Sequence, residues 1–366
     1  MMTMTNDSDT FSAALSRGAN GERLNRDEAV ALARARRPDE IHRLGEAALA
    51  NRRARFGNRA TYVFNLQINP SNICAGTCRF CRYSARPGDS HAYVLDEAEI
   101  LARIERLQPA EVHVVGGMNT IWDYGRSLGL VREIRRLHPE MFIKAFTAVE
   151  IDWFARTAGK NACEVLQGFV KAGIDGMPGG GAEIFSPRMR ARLCPEKIHP
   201  AEWLRIHRIA HELGIGTNAT MLYGLGETPD ERAEHLLALR EVQDETGGFA
   251  CFIPLAYQPG ENAAWEDAPP PIESLGVIAL ARLVLDNIPH VKAYWPMIGV
   301  ETAAAGLSWG ADDLDGTLGD ERIAHAAGAQ SPKALTRRRM HETIRLGGFE
   351  PVERDGRFQP VAEGGR

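Results

Sequence analysis

The 366-residue sequence has no apolar run near the roughly 18–20 residues that a membrane-spanning helix needs. Its first ten residues are polar and acidic, without the basic and apolar segments of a secretory signal peptide. No charge of one sign dominates, because 43 basic and 48 acidic residues leave a net charge of −5. No basic surface for nucleic acid is therefore expected. These absences favour a cytoplasmic globular protein without nucleic-acid or membrane partners.

Cysteine is also scarce, with six residues in the whole chain, too few and too scattered for a disulfide framework. Three of them, Cys74, Cys78 and Cys81, lie within eight residues in the spacing C-x3-C-x2-C. Thiolates are the preferred protein ligands of iron–sulfur clusters. The spacing therefore predicts a [4Fe–4S] cluster with one iron left open, in preference to a loop of structural thiols. The remaining three are interpreted as buried or incidental thiols: Cys163, Cys194 and Cys251.

Short apolar runs alternate with longer amphipathic stretches, a rhythm typical of parallel strands joined by crossover helices. Strands are predicted at 61–68, 111–115, 141–147, 176–178, 216–223, 250–256, 291–295 and 307–310. Helices are predicted at 95–107, 124–137, 162–172, 201–213, 229–245 and 272–287. This α/β pattern predicts a (βα)8 TIM-type barrel with its active site at the carboxyl ends of the strands. A doubly wound open sheet is the alternative.

The two ends of the chain are expected to lie outside the barrel. Residues 1–20 are predicted to be disordered, and one helix is predicted over 24–53. The barrel with this helical extension would span residues 21–330. Over 331–366, a helix capped by Ser331 and a short strand are predicted to pack on the barrel as a small appendage.

Glycines and carboxylates follow several predicted strands, at the end where the cysteine loop also lies. The second strand ends in Gly116-Gly117, the fourth is followed by three glycines and Glu183, and the fifth ends at Tyr223 before Gly-Leu-Gly-Glu. Glycine lets a backbone approach a ligand closely, although ordinary turns use it too. The Lys-Ser/Thr of a nucleotide P-loop does not accompany these glycines. The turns therefore favour a ligand with ammonium and hydroxyl groups over a phosphate.

These motifs, with Phe80 before the last cysteine, together resemble the radical S-adenosylmethionine (SAM) superfamily. Further segments resemble the aminofutalosine synthase family within it, and that resemblance runs from about residue 25 to the C-terminus. The segments lie at 144–151, 178–184, 194–197, 217–224, 243–249, 285–290 and 310–317.

The resemblance implies a radical SAM transferase. Its three loop cysteines would bind the cluster, Phe80 would pack near the adenine of SAM, and Gly116 and Gly117 would meet the methionine amine. SAM, consumed as a co-substrate, would yield a 5′-deoxyadenosyl radical. That radical would add to the vinyl group of 3-[(1-carboxyvinyl)oxy]benzoate and give aminofutalosine for menaquinone biosynthesis. Reduced flavodoxin or ferredoxin would donate the electron.

Further site residues are predicted around this reaction. Glu150 and Glu183 are candidates for ribose or methionine contacts, with helix capping as the alternative, and Tyr223 is a further candidate contact. Asn119 and Gln258 stand where the family usually has histidine, so both are candidates, with Glu150, for catalytic contact with the acceptor. Another olefinic acceptor and a cyclase of the dehypoxanthine futalosine type are the alternative reactions, and an iron–sulfur redox protein is the non-enzymatic alternative.

A few side chains are ambiguous on sequence alone. Arg188 and Arg282 are candidate clamps for a substrate carboxylate, with an exposed surface position as the alternative. His207 and His211 have the i, i+4 spacing of a zinc pair, but a structural role is favoured. His113 lies inside a predicted strand, where it faces either the barrel lumen or the outside.

Overall fold

The computed structural model describes residues 7–259, 267–316 and 322–361. The strands are β1 (Arg59–Val63), β2 (Asn65–Ile68), β3 (Glu111–Val114), β4 (Phe142–Ala145), β5 (Gly176–Met177), β6 (Gly216–Tyr223), β7 (Phe249–Ala256), β8 (His290–Val291), β9 (Asp313–Leu314) and β10 (Glu350–Arg354). The helices are α1 (Asp7–Ala19), α2 (Arg26–Ala33), α3 (Pro38–Phe56), α4 (Glu97–Leu107), α5 (Tyr124–Leu137), α6 (Ala148–Thr157), α7 (Ala162–Ala172), α8 (Pro187–Leu193), α9 (Pro200–Glu212), α10 (Pro229–Thr246), α11 (Pro271–Val284), α12 (Trp295–Ile298), α13 (Val300–Leu307), α14 (Arg322–Ala326) and α15 (Arg337–Leu346). None of the helices in these ranges is long and apolar enough to span a membrane.

Seven parallel strands, β2 to β8, form a curled sheet in which every strand neighbours the next one along the chain. A three-stranded parallel sheet, in the order β10-β1-β9, lies at its open side. A bridge between Lys292, directly after β8, and Asp313 of β9 links the two sheets, so the strands surround a lumen. The predicted barrel-type α/β fold is confirmed in this curled form. Because the strand order never reverses, the doubly wound alternative is wrong.

Short polar residues fix where the crossover helices begin. The side chains of Asp96, Asp123, Thr147, Asn161 and Thr228 each accept a hydrogen bond from the backbone N–H three residues later. Such a cap stabilises a helix by about 1 kcal/mol and satisfies a backbone donor that has no partner inside the helix. The helices therefore start at defined positions after the loops that line the carboxyl end of the sheet.

The N-terminal region differs from its prediction. Residues 7–19, expected to be disordered, form α1, because Phe11, Ala14 and Leu15 bury an apolar face in the core; residues 1–6 lie outside the described part. The single helix predicted over 24–53 is two helices, α2 and α3. Pro38 occupies the first turn of α3 and holds the preceding residue in an extended conformation, which breaks the run.

Three later elements also differ. The predicted strand at 307–310 is wrong, because Leu307 ends the alanine-rich α13 and the strand comes later, as the two-residue β9. The strand predicted to continue to residue 295 ends at Val291, and Trp295 already begins α12. The C-terminal helix is capped by Thr336 instead of Ser331. The residues after it form β10, which pairs in parallel with β1.

Charged side chains close the amino-terminal end of the lumen. We call them the floor network: Glu111, Lys144, Lys292, Asp313, Asp315 and Arg354, all buried. The Lys144 Nζ lies 3.0 Å from both Glu111 carboxylate oxygens, and the Lys292 Nζ lies 2.8 Å from an Asp315 oxygen. Arg354 donates two hydrogen bonds, of 2.6 and 2.9 Å, to Asp313. Three cations thus meet three anions, which offsets the cost of burying them.

Candidate active site

A cavity of about 270 Å³ lies at the carboxyl ends of the strands, where the sequence predicts the active site. Most of its wall comes from the cysteine loop after β2, the Gly-Gly turn after β3, the glycine-rich turn after β5 and side chains of β6 and β7, and single residues of other elements complete it. Most of the wall is glycine or apolar, and polar groups enter it at a few positions. Such a cavity is typical of a small-molecule site.

The three loop cysteines all line this cavity as half-buried, free thiols. Backbone hydrogen bonds fix the loop that carries them. The Ala75 N–H donates to the Met118 carbonyl at 2.8 Å, and the Arg79 N–H donates to the Leu193 carbonyl at 2.9 Å. The loop is therefore held between the turn after β3 and the end of α8, with its thiols directed at shared space.

The geometry around the thiols fits a [4Fe–4S] cluster. A Cβ on Gly117 would lie 2.8 Å from the Cys74 Sγ, so only glycine keeps the space beside that sulfur open. Within the described ranges, no three side chains of ligand type lie close enough to share one metal ion. In a [4Fe–4S] cube each thiolate binds a different iron, so the three cysteines do not have to share one metal ion.

We expect Gly117→Ala to impair cluster loading and to lower SAM cleavage about 100-fold, because its methyl group would displace Cys74. Bound iron and sulfide per chain, and 5′-deoxyadenosine formed from SAM when no acceptor is present, measure the effect. Gly129→Ala in α5 is the matched control, since a Cβ there meets nothing within 4 Å. Wild-type iron content and activity in Gly117→Ala would contradict the assignment.

Glu150 supports the Gly-Gly turn and does not line the cavity. It sits in the first turn of α6, where one oxygen accepts from the Thr147 N–H and hydroxyl, both at 2.8 Å. Its other oxygen accepts from the Gly116 N–H at 2.9 Å. Burial raises the pKa of Glu150 to about 7, although these hydrogen bonds oppose the shift. Since both oxygens are engaged inside the fold, the helix-capping alternative describes Glu150 better than a direct ligand contact.

Glu183 and Lys197 form a buried ion pair on the cavity wall. Glu183 lies on the turn after β5 with a φ of 51°, an unusual conformation for a residue with a side chain. The Lys197 Nζ lies 5.3 Å from the centroid of the Phe80 ring, which also lines the cavity. Burial lowers the pKa of Lys197, but the Glu183 carboxylate together with the nearby Cys78 and Cys194 raises it more, so the ammonium stays charged. Lys197 was not among the predicted site residues, although it ends one of the segments that resemble the family, 194–197.

Of the other predicted contacts, Gln258 lines the cavity and donates from Nε2 to the Met297 carbonyl at 2.9 Å. Asn119 does not line it. Its Nδ2 donates to the Ile73 carbonyl, and its Oδ1 accepts from two backbone N–H groups, so it ties the cysteine loop to the turn after β3. Tyr223 is also outside the cavity, because Leu222 faces the cavity and successive residues of a strand point to opposite sides.

The candidate arginines and the histidine pair are structural. Arg188 is exposed and pairs with Glu231 on the surface, whereas Arg282 is fully buried, pairs with Asp312 and does not line the cavity. His207 and His211 each hydrogen-bond the Thr217 hydroxyl at 2.8 Å, which gives them the structural role favoured by the sequence.

His113 has a different position, because it faces the lumen and lines the cavity. The sequence of the strand alone did not decide whether the His113 side chain faces the lumen or the outside. Its place two residues after Glu111 on β3 puts it on the same side of the strand as Glu111, one layer closer to the cysteine loop and in register with Lys144 on β4.

Comparison with known proteins places these features in a family context. A model of the Radical SAM superfamily matches residues 68–239, and a model of the CofH/MqnC C-terminal region matches residues 246–363. The chain is 41% identical over 349 residues to aminodeoxyfutalosine synthase of Thermus thermophilus, covering 93% of each chain.

Two further likenesses are more distant. The chain is 36% identical over 344 residues to 5-amino-6-(D-ribitylamino)uracil–L-tyrosine 4-hydroxyphenyl transferase of Methanopyrus kandleri, covering 92% of this chain and 93% of that one. Its fold is similar to the crystal structure of methylornithine synthase (PylB), with a TM-score of 0.75, 17% identity, and coverage of 93% of this chain and 97% of that one. At that identity the second likeness concerns the fold alone.

Proposed function

This chain belongs to the radical SAM superfamily, and on that premise we propose that it is an aminodeoxyfutalosine synthase of menaquinone biosynthesis, acting in the cytoplasm. As a superfamily member it is an enzyme that uses a [4Fe–4S] cluster and SAM. In the proposal it joins the 5′-deoxyadenosyl group to the vinyl carbon of 3-[(1-carboxyvinyl)oxy]benzoate. The observation that carries the proposal is the 41% identity to the Thermus enzyme over 93% of both chains.

In this proposal the three loop cysteines hold the cluster. A bound cluster supplies the electron, received from reduced flavodoxin or ferredoxin, that splits SAM into methionine and a 5′-deoxyadenosyl radical. Gly116 and Gly117 let the methionine amine approach the backbone, and Glu150 keeps that turn in place through its 2.9 Å bond to Gly116. Phe80 lies beside the adenine.

The Glu183–Lys197 pair offers SAM two complementary charges. The carboxylate accepts from ammonium or hydroxyl groups, and the ammonium donates to a carboxylate. Glu183 is buried, Lys197 is half-buried and the two are already paired, so their positions are set before SAM binds. Preorganised charge of this kind acts strongly where water is excluded.

Apolar side chains on the rest of the cavity wall would keep water away from the reacting atoms. Apolar side chains such as Val149, Ile253 and Leu255 line the space where the adenosyl radical would meet its acceptor. They offer no strong hydrogen-bonding group and exclude water from the reacting atoms. The radical would add to the vinyl carbon, and the new carbon radical would attack the aromatic ring and break the aryl ether bond. The adjacent carboxylate would then leave as CO2, with one electron passing back to the oxidised cluster, to give the aminofutalosine product.

An anaerobic assay tests the proposal directly. The reconstituted enzyme is incubated with SAM, dithionite and 3-[(1-carboxyvinyl)oxy]benzoate, and the adenosylated product is sought by mass spectrometry. We expect that product in place of free 5′-deoxyadenosine. Free 5′-deoxyadenosine as the main output would favour hydrogen abstraction, as in a cyclase, and would overturn the addition reaction.

A second candidate is adenosyl addition to a different olefinic acceptor. The observation in its favour is Gln258 on the cavity wall, at a position where histidine is usual. An amide offers fixed neutral hydrogen bonds where an imidazole offers a titratable one. SAM consumption stimulated by another enol ether, and not by the benzoate, would support this candidate.

A further inference from the structure

His113 is a half-buried imidazole on the cavity wall, without a role in the reaction so far described. Its Nε2 is buried and has no hydrogen-bond partner among the described residues. An unpaired buried polar atom is costly, so native structures rarely keep one without a function. Gln67, its register partner on β2, and Asn218 on β6 line the same cavity. Polar groups from opposite sides of the lumen therefore converge below an apolar wall.

Four charged side chains lie near enough to His113 to shift its pKa. They come from the floor network: Glu111 on β3, Lys144 on β4, Lys292 after β8 and Asp315 after β9. Burial lowers the pKa of His113 to about 4; the two lysines act in the same direction and the two carboxylates oppose them. The imidazole is therefore neutral at pH 7, with one N–H donor and one acceptor nitrogen.

His113 lies at a depth in the cavity that suits the ring-carboxylate end of the acceptor, the end away from the vinyl group. His113 precedes Gly116 by three residues, which along an extended strand is about 10 Å. The vinyl group has to lie beside the reactive carbon of SAM, near the cysteines and the Gly-Gly turn. The ring carboxylate then points toward the floor network, whose cations are already paired with Glu111, Asp313 and Asp315.

We propose that His113 binds the ring carboxylate of the acceptor and takes up a proton as it does so, forming an imidazolium–carboxylate pair. The inference rests on the proposed function and assigns His113 as the residue that selects a benzoate-type acceptor. A buried carboxylate without a free cation nearby is unfavourable, and it draws a proton onto the closest base. Binding should therefore be linked to pH, with affinity falling as the pH rises.

Calorimetry with the reconstituted, SAM-bound enzyme tests this inference. Acceptor binding is measured from pH 6 to 8.5 in buffers of different ionisation enthalpy, which counts the protons taken up. We expect about one proton per acceptor in the wild type. We expect none in His113→Gln, whose acceptor affinity should be about 10- to 100-fold lower. The KM for the acceptor should rise in this variant, whereas the KM for SAM should not.

Two controls separate a binding role from a structural one. His207→Gln removes another imidazole with a buried, unpaired Nε2, outside the lumen on α9, and should leave acceptor affinity and proton uptake unchanged. An acceptor lacking the ring carboxylate, 2-phenoxyacrylate, should bind the wild type weakly and without proton uptake. The comparison of proton uptake between the two acceptors uses only the wild-type enzyme, so it tests the inference even if His113→Gln folds poorly.

The outcomes are distinct. Unchanged acceptor affinity or unchanged proton uptake in His113→Gln overturns the inference and leaves the proposed function standing. Proton uptake with 2-phenoxyacrylate equal to that with the full acceptor also overturns it. A wild-type enzyme that binds no 3-[(1-carboxyvinyl)oxy]benzoate contradicts the proposed function itself, and the assignment of His113 falls with it.

Discussion

Replacing Cys78 with serine is expected to remove the cluster and to reduce SAM cleavage by more than about 100-fold. Replacing a residue that only supports the metal ligands typically costs about 10- to 100-fold, and loss of a ligand itself should cost more. The hydroxyl of serine is a hard, weakly acidic ligand, whereas iron–sulfur clusters need soft thiolates. Cys78 lies on the cavity wall between the other two thiols of the loop. With only two thiolates left, the loop has too few ligands to retain a cube. Iron and sulfide content, visible absorbance and 5′-deoxyadenosine formation after anaerobic reconstitution measure the effect.

The chain provides a matched control for this substitution. Cys163 is also a free, half-buried cysteine, but it lies on α7 beside Gln167 and does not line the cavity. Cys163→Ser should therefore retain full iron content and full SAM cleavage. If Cys78→Ser kept its iron, or if Cys163→Ser lost it, the cluster would not be held by the C-x3-C-x2-C loop.

Local patterns predicted much of the fold. The bounds of β6, α5 and α7 agree with the predictions. Glycines mark both ends of β6, and the two helices have a strong apolar periodicity with a cap, such as Asp123, at the start. The strand that closes the lumen was missed. β9 has only two residues and begins with Asp313, whose charge disfavours a strand until Arg354, 41 residues away, pairs with it. Contacts between distant parts of the chain decide such an element.

In the candidate site, too, local sequence patterns were predictable and contacts between distant parts of the chain were not. The cysteine loop was predictable because its ligands lie together in the sequence. The roles of Asn119 and Tyr223 were not predictable, because the direction in which each side chain points depends on tertiary contacts. Asn119 donates a hydrogen bond to the loop at Ile73, and Tyr223, next to Leu222, points away from the lumen. Lys197 was missed because its partner Glu183 is on a different turn. A sequence reports which groups are available, and the folded chain decides which of them meet.

Lys197→Met is expected to give the second large effect. It would leave the Glu183 carboxylate buried and unpaired, which costs about 3–5 kcal/mol of unfolding free energy when one partner of a buried pair is removed. The side chains of both residues are less than one-fifth exposed, so solvent cannot replace the lost ammonium. If the pair also binds SAM, SAM affinity should fall about 10- to 100-fold, the size expected for a lost charge-assisted hydrogen bond. Urea unfolding and SAM binding measure the two effects separately.

The matched control is Arg188→Met, which breaks the surface pair between the exposed Arg188 and the half-buried Glu231. It should cost less than about 1 kcal/mol and leave SAM binding unchanged, since surface pairs contribute little. The double variant Glu183→Gln/Lys197→Met separates stability from function. Replacing both charges removes the unpaired carboxylate, so stability should return toward that of the wild type. SAM affinity should stay low, because neither charge is present to bind it. Recovery of both properties would mean that the pair only supports the fold and that SAM binds elsewhere on the wall.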